Sequence, residues 1–379
     1  MKLETFALER FQSMWENRVA WNISESGVHP LRVSELVDAP ALHDALLDHE
    51  LGYPQTNGTA ELRETIAALY PGATAEHVQV TNGGSEANCV LLMRLVEPGD
   101  EIVFMTPNYM QAAGLARGLG ARVRPWRLRE SGEGDSARWT ADTGELASLV
   151  TAKTKAILLC NPNNPTGARL DERTLDEICR IAGTVGAWVI DDEIYRGAER
   201  EADDTPSVWG RYDRAIVSSG LSKAYALPGL RIGWLVAPPS LAADLWAIHD
   251  YTTIAPGGIN DRLARIALGP GRREALLART RGIIRANYPL VKRWIEKQEG
   301  LSHIAPEAGA IVFVRHTHPF RSSELTDRLR EEHSVLLVPG DYFDMDGYFR
   351  IGFGSPPDYL ASALALVGEF LSSVGAHAR

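Results

Sequence analysis

Four segments combine residue types that can do chemistry with the glycine, asparagine and proline that shape turns. They are TNGGSEAN (residues 81–88), NPNNPTG (161–167), DDEIY (191–195) and SSGLSKAYALPGLRIGW (218–234). Lys223 is the potential nucleophile. An amine that is to form a Schiff base must shed its proton, and a lysine desolvated in a dry crevice near other cations can do so. Taken alone, the Ser222-Lys223 pair reads as a surface lysine after a strand. Arg231, eight residues on, has the planar fork that grips phosphates and carboxylates, and Pro228 and Gly229 turn the chain between the two. Gly83 and Gly84, followed by Ser85 and Glu86, open an apolar helical run, where backbone amides and the positive helix end can hold an anionic phosphate. A glycine turn with Ser85 as N-cap accounts for the same residues. NPNNPTG has turn composition anywhere. Tyr109 in MTPNY reads alone as a packing aromatic, and Arg350 in YFRIGF as either a carboxylate fork or a salt bridge.

Positioning such residues requires strands that end where the motifs begin. From about residue 58 to residue 234, seven β-rich runs (HVQVT, EIVFM, RVRPW, AILLC, AWVID, AIVSS and IGWLV) alternate with helical segments such as GSEANCVLLMRLV and DERTLDEICRIAG. The alternation predicts an α/β large domain over residues 47–256, with a mostly parallel seven-stranded sheet between helices. Residues 129–138 (RESGEGDSAR) are polar enough for a surface loop. Beyond Pro256 the pattern becomes long helices (about 260–299), then IVFVR, a helix near 323–332, SVLLVPG, YFRIGFG and a closing helix. Together with residues 1–46 this predicts a smaller α+β domain over 257–379. Ligands of such folds bind in the crevice at the carboxyl ends of the strands. In the N-terminal segment, Phe6, Leu8, Phe11 and Trp15 mark one face of an amphipathic helix, which predicts packing.

Composition narrows the function classes. With 39 Lys+Arg against 49 Asp+Glu, the formal charge of -10 argues against a nucleic-acid surface. Cys89, Cys160 and Cys179 are odd in number and scattered without CxxC spacing, so neither a disulfide framework nor a metal site is expected. The charged N-terminus lacks a secretion signal, and no stretch has the length and apolarity of a membrane span, which predicts a cytoplasmic protein with no membrane partner.

Taken together and in this order, the four segments and Arg350 resemble the class I/II aminotransferases, the fold type I enzymes that use pyridoxal 5′-phosphate (PLP). The resemblance runs over nearly the whole chain. It implies that Lys223 carries PLP as an internal aldimine, that Arg231 grips its phosphate, that Gly84, Ser85 and Glu86 occupy phosphate-cup positions, with Glu86 contributing its amide rather than its carboxylate, and that Ser222, Ser219 or water supplies a further phosphate bond. Asp192 corresponds to the aspartate that pairs with the pyridine nitrogen, leaving Asp191 and Glu193 as solvated or structural neighbours. Asn164 and Tyr195 correspond to the residues that bond the ring oxygen, and Tyr109 to the aromatic that stacks on the ring. Tyr53, in GYPQTNG, corresponds to a tyrosine that reaches the phosphate of the neighbouring subunit, which implies a homodimer with shared sites. Arg350 corresponds to the arginine that binds the substrate α-carboxylate. Gly27 in SESGVH places backbone near the substrate, and His29 faces the pocket. One departure stands out: Gly220 occupies a position, three residues before the lysine, where the family often has Ser or Thr bonding the phosphate.

The implied reaction is transamination, interconverting an L-amino acid and a 2-oxo acid through a quinonoid that Asp192 supports, with Lys223 moving the proton. SESGVH, LSKAYALPGLRIGW and VPGDYF are also similar to capreomycidine synthases, PLP cyclases of a hydroxylated arginine, which leaves β/γ-elimination or cyclisation as the alternative. A third reading, a transcription regulator with an aminotransferase-like sensor domain, would need a DNA-binding domain for which 379 residues leave no room.

Overall fold

Alternate residues along the same strands enter two separate apolar clusters. Val103, Ile157, Val189, Val217 and Val236 pack on one side, whereas Phe104, Leu158, Ile190, Ile216 and Leu235 pack on the other. That is the signature of a sheet buried on both faces by helices. The computed structural model describes residues 2–201 and 204–376. In it the sheet runs in the order Val78–Thr81, Gly233–Val236, Ala215–Gly220, Trp188–Asp192, Thr154–Cys160, Glu101–Thr106, Arg122–Ser131 and Arg138–Ala141.

The eighth strand corrects the expected seven. Arg122–Ser131 runs on past its apolar part and pairs antiparallel with Arg138–Ala141, from Leu128 opposite Ala141 to Ser131 opposite Arg138. The polar segment read as a loop is therefore largely a hairpin. Buried Leu128 and Trp139 anchor it while Arg129, Glu130, Glu133 and Arg138 face solvent, a division that an antiparallel pair tolerates.

Register brings the motifs together. Cys160 lies opposite Asp192, Asp192 opposite Ser218, and Gly233 opposite both Gly220 and Thr81. Gly233–Val236 is antiparallel to its two neighbours, so its first residue sits where theirs end. The loops after Thr81, Cys160, Asp192 and Gly220 consequently emerge at one end of the sheet.

A second, antiparallel sheet consists of Leu301–His303, Ile311–His316, Tyr348–Gly352 and Val338–Pro339, accompanied by the helices Ser322–His333 and Pro357–Ala376. The expected long helical stretch is two helices, Gly258–Leu268 and Arg272–Ile295, broken at Gly269-Pro270-Gly271, where Gly271 takes a positive φ of 76°. Gly258–Leu268 lies against Ala60–Ala67, with Thr59 donating its amide (3.0 Å) and its hydroxyl (2.7 Å) to Asp261.

The N-terminal segment is tied to the second sheet's region by a short parallel ladder, Trp21 opposite Val335 and Asn22 opposite Leu336. Its helix, Ala7–Trp15, buries Leu8 and Phe11 as the amphipathic spacing predicts. Phe11 meets Tyr342 edge-on at 5.5 Å, and Phe6 meets Tyr109 at 4.9 Å. The helix therefore touches elements from both sides of the crevice.

Candidate active site

A cavity of about 440 Å³ opens at the end of the large sheet where the four loops converge. It is lined by Gly84, Ser85, Tyr109, Asn164, Asp192, Tyr195, Ser222, Lys223, Arg231 and Arg350, ten of the residues singled out in the sequence. Glu86, Gly27, His29 and Tyr53 do not line it.

Gly83 caps the helix Gly84–Leu95 with φ 93°, open to glycine but rarely to other residues, and a Cβ there would collide with the Arg231 guanidinium. The cradle thus pairs the amino end of a twelve-residue helix with an arginine fork, the combination that binds phosphate. Arg231 itself adopts a left-handed backbone, φ 47° and ψ 46°, and donates to the Pro228 carbonyl at 3.0 Å. A non-glycine residue held there stores about 1–3 kcal/mol, which the surrounding structure must supply.

Gly220 is explained by the same packing. A side chain there would place Cβ 2.8 Å from the Ile232 carbonyl oxygen and 3.0 Å from Gly233 Cα. The adjacent strand has taken the room that Ser or Thr would need.

Lys223 Nζ stands 2.7 Å from Glu25 Oε1. Burial opposes charge on the lysine, but the Glu25 carboxylate, helped by the Tyr195 oxygen and the hydrogen bond, outweighs it and holds the ammonium above its ordinary pKa. In return the lysine pulls the Glu25 carboxyl down to about 2 against the cost of burial. Asp192 accepts from the Ile194 amide at 3.1 Å and from Asn88 Nδ2 at 3.4 Å, yet burial dominates and pushes its pKa up to about 6. Asn88 is fixed in turn by the Ser218 hydroxyl, 3.0 Å from its Oδ1.

Arg350 is buried. It donates to Asn164 Oδ1 at 2.7 Å and to the Ser24 carbonyl at 2.6 Å, while its Nε has no hydrogen-bond partner. Burial lowers its pKa, opposed by Tyr195, Glu25 and Glu9. Burial likewise raises Tyr195 despite the neighbouring Lys223 and Arg350. Tyr109 donates its hydroxyl to Glu9 Oε1 at 2.8 Å.

The other candidates lie elsewhere. The Glu86 carboxylate turns away from the cavity to accept from Thr253 (2.8 Å), the Asn82 amide (2.5 Å) and His249 (3.2 Å), which leaves only its backbone for the cradle. The His29 ring bonds the Gly354 carbonyl at 2.9 Å, a structural contact rather than a pocket-facing one. Gly27 lies beside the lysine, where a Cβ would stand 3.6 Å from Lys223 Cδ, and donates its amide to Glu25 Oε1 at 3.2 Å. Tyr53 is 85% exposed on this single chain. Asp191 and Glu193 are fully buried, which excludes solvated roles: neither Asp191 oxygen has a hydrogen-bond partner, and burial drives its pKa well up.

Sequence reasoning missed Glu25, Asn88 and the lining residues Glu9, Gln12 and Glu16 of the N-terminal segment. Glu25 lies within SESGVH and was within reach of a reader asking which charge Lys223 would face. Nothing in the spacing of Glu9, Gln12 and Glu16 distinguishes them from a solvated helix face.

A lysine amine and a buried carboxyl facing a cavity with a phosphate cradle suit PLP, and this fold with that site defines a PLP-dependent enzyme of fold type I. Comparison with known proteins specifies the family. The model for class I and II aminotransferases matches residues 38–366, and the chain belongs to that family. It is 33% identical over 363 residues to a capreomycidine synthase of Streptomyces vinaceus, covering 94% of this chain and 90% of that one. An arginine–pyruvate transaminase of Pseudomonas aeruginosa is 29% identical over 322 residues, with 82% and 79% covered. Among solved structures, a PLP-dependent aminotransferase of Streptococcus suis superposes with a TM-score of 0.91 at 34% identity, over 98% of this chain and 99% of that one.

Proposed function

We propose that the enzyme is an aminotransferase that interconverts an L-amino acid and a 2-oxo acid. The observation that carries this is the convergence of Lys223 with the Arg350–Asn164 pair on one cavity, an amine beside a carboxylate-binding fork. The bound cofactor supplies an electron-poor ring that accepts electrons from the substrate's α-carbon. Arg231 and the amides at Gly84 and Ser85 hold the phosphate, assisted by Ser222. Asp192 pairs with the pyridine nitrogen, Asn164 and Tyr195 bond the ring oxygen, and Tyr109 packs on the ring face. Arg350 holds the α-carboxylate, for which its unpartnered Nε is free, and so turns the α-hydrogen toward Lys223. Lys223 Nζ then takes that proton and returns it one position along.

We further propose a cytoplasmic homodimer. Leu47, Leu51 and Tyr53 are strongly exposed within one short segment, which favours burial against a second copy, with Tyr53 reaching that copy's phosphate.

The test is a half-reaction. Holoenzyme mixed with a broad panel of amino acids should convert the cofactor from its aldehyde to its amine form and release a 2-oxo acid detectable by mass. Absence of both with every amino acid overturns the proposal. The 33% identity to a capreomycidine synthase supports the second reading, elimination or cyclisation. Loss of water from 3-hydroxyarginine with retention of its α-amine would establish it.

A further inference from the structure

The mouth of the cavity has a charge requirement that transamination alone does not explain. Glu9, Gln12 and Glu16 recur at spacings of three and four along the N-terminal helix and its C-cap, so they share a face, and all three line the cavity. Glu16 is held above the ordinary carboxyl range by burial and by repulsion from Glu25 and Glu9, which outweigh the pull of Lys223. Among the described residues neither Glu9 nor Glu16 forms an ion pair. Lys223 is taken by Glu25, and Arg350 donates to two neutral oxygens, of Asn164 and Ser24.

A second, independent feature sits in the same cavity: Arg350, 2% exposed, with an Nε that no protein group satisfies. The two are linked through one residue. Ser24 accepts from Arg350 through its carbonyl at 2.6 Å, and Gln12 donates to that carbonyl (3.3 Å) and to the Ser24 hydroxyl (2.9 Å). The acidic face of the helix is thereby fixed relative to the arginine that seeks an anion.

We infer that the amino-acid substrate carries a cationic side chain, a guanidinium or ammonium, which Glu9 and Glu16 receive while Arg350 takes the α-carboxylate. This rests on the reading of the cavity as an amino-acid site. Aspartate and glutamate are selected against, because their side chains would add a further carboxylate to an already repelling group. Glu9 and Glu16 act here as specificity residues and take no part in proton transfer.

The experiment is a titration of holoenzyme with L-arginine and with L-citrulline, its neutral isostere, read as the half-saturating concentration for the change in cofactor absorbance. Arginine should half-saturate at a concentration about tenfold lower or more, the magnitude expected for charge-assisted hydrogen bonds. In the double variant Glu9→Gln, Glu16→Gln the ratio should fall toward one. Equal values in the wild type, or an unchanged ratio in the variant, overturn the inference. Because the variant could misfold, the wild-type ratio is also measured as NaCl rises from about 50 to about 500 mM; it should shrink, and a salt-independent ratio overturns the electrostatic assignment. The outcomes separate from those of the reaction: arginine preference without amine-form cofactor overturns transamination and leaves the side-chain assignment standing, whereas turnover without preference does the reverse.

Discussion

Lys223 Nζ and Glu25 Oε1 are 2.7 Å apart, so the amine proposed to attack the cofactor carbonyl is held as an ammonium by a carboxylate from 198 residues earlier. The pair gives the lysine a fixed direction at the cost of its nucleophilicity. A protonated amine cannot attack, and Glu25 stabilises the protonated form.

Glu25→Gln is therefore expected to speed cofactor capture by the cofactor-free protein near neutral pH and to shift its pH profile downward. Stopped-flow absorbance of Schiff-base formation checks this. The stability effect has a defined window. Glu25 titrates at about 2 when folded, below its ordinary 4.5, so its contribution is complete above pH 4.5 and lost as pH falls through about 2. The Lys223 contribution is complete below its ordinary 10.5 and lost as pH rises through its higher folded value. With the Glu25 side chain 52% exposed, solvent screening keeps the pair below about 1 kcal/mol. A Tm difference of about 2 °C or less between wild type and variant at pH 7 should vanish near pH 2.

Lys223→Arg keeps the positive charge and the ion pair with Glu25 but cannot form a Schiff base at neutral pH. It should bind the cofactor without the absorbance of a linked imine, and borohydride reduction should leave no cofactor mass on the peptide containing position 223. If Lys223 both anchors the cofactor and moves the proton as proposed, turnover should fall by about a thousandfold or more.

How much of this was legible depended on which interactions are local. The seven apolar strands announced themselves through β-branched runs, and the ten cavity residues stood out because several spaced motifs, each weak alone, together matched one family. The eighth strand, Arg138–Ala141, did not, because its partner segment is polar and gains its pairing only from the sheet already built beside it. The helix face of Glu9 and Glu16 was invisible for a related reason: Glu9 meets Tyr109 only across 100 positions, and Glu25, though inside a quoted motif, takes its role from Lys223, 198 positions on. Gly220 appeared as a missing phosphate ligand until the position of Gly233 showed that no side chain fits there.

Asp192→Asn should separate function from stability. Burial raises the Asp192 pKa to about 6 from an ordinary 3.8, so its ionisation destabilises the cofactor-free fold as pH rises past 3.8, an effect complete above about 6. The amide removes that penalty. Cofactor-free Asp192→Asn should melt higher than wild type at pH 7.5 and equally at pH 3.5. If Asp192 pairs with the pyridine nitrogen as proposed, the loaded variant should lose about a hundredfold or more in turnover, because an asparagine cannot keep that nitrogen protonated.

Gly220→Ser tests whether the family's usual hydroxyl can be restored. The added Cβ would lie 2.8 Å from the Ile232 carbonyl oxygen and 3.0 Å from Gly233 Cα, both backbone atoms that cannot swing aside. Overpacking of this kind costs about 1–3 kcal/mol, so the midpoint of denaturant unfolding should drop without a gain in cofactor affinity. Unchanged stability with tighter cofactor binding would mean that the strand Gly233–Val236 can shift to make room.

Arg350→Lys distinguishes a fork from a charge. The guanidinium spans Asn164 Oδ1 and the Ser24 carbonyl and keeps Nε for a ligand, three directions that one ammonium cannot reproduce. If Arg350 holds the α-carboxylate, kcat/KM for amino acids should fall by about a hundredfold in Arg350→Lys. Reaction with simple amines that lack a carboxylate should stay within a few-fold of wild type. The comparison removes general effects on folding and cofactor loading, which would depress both. Equal losses for the two substrate types would place Arg350 among the groups that shape the cavity and leave the α-carboxylate to another partner.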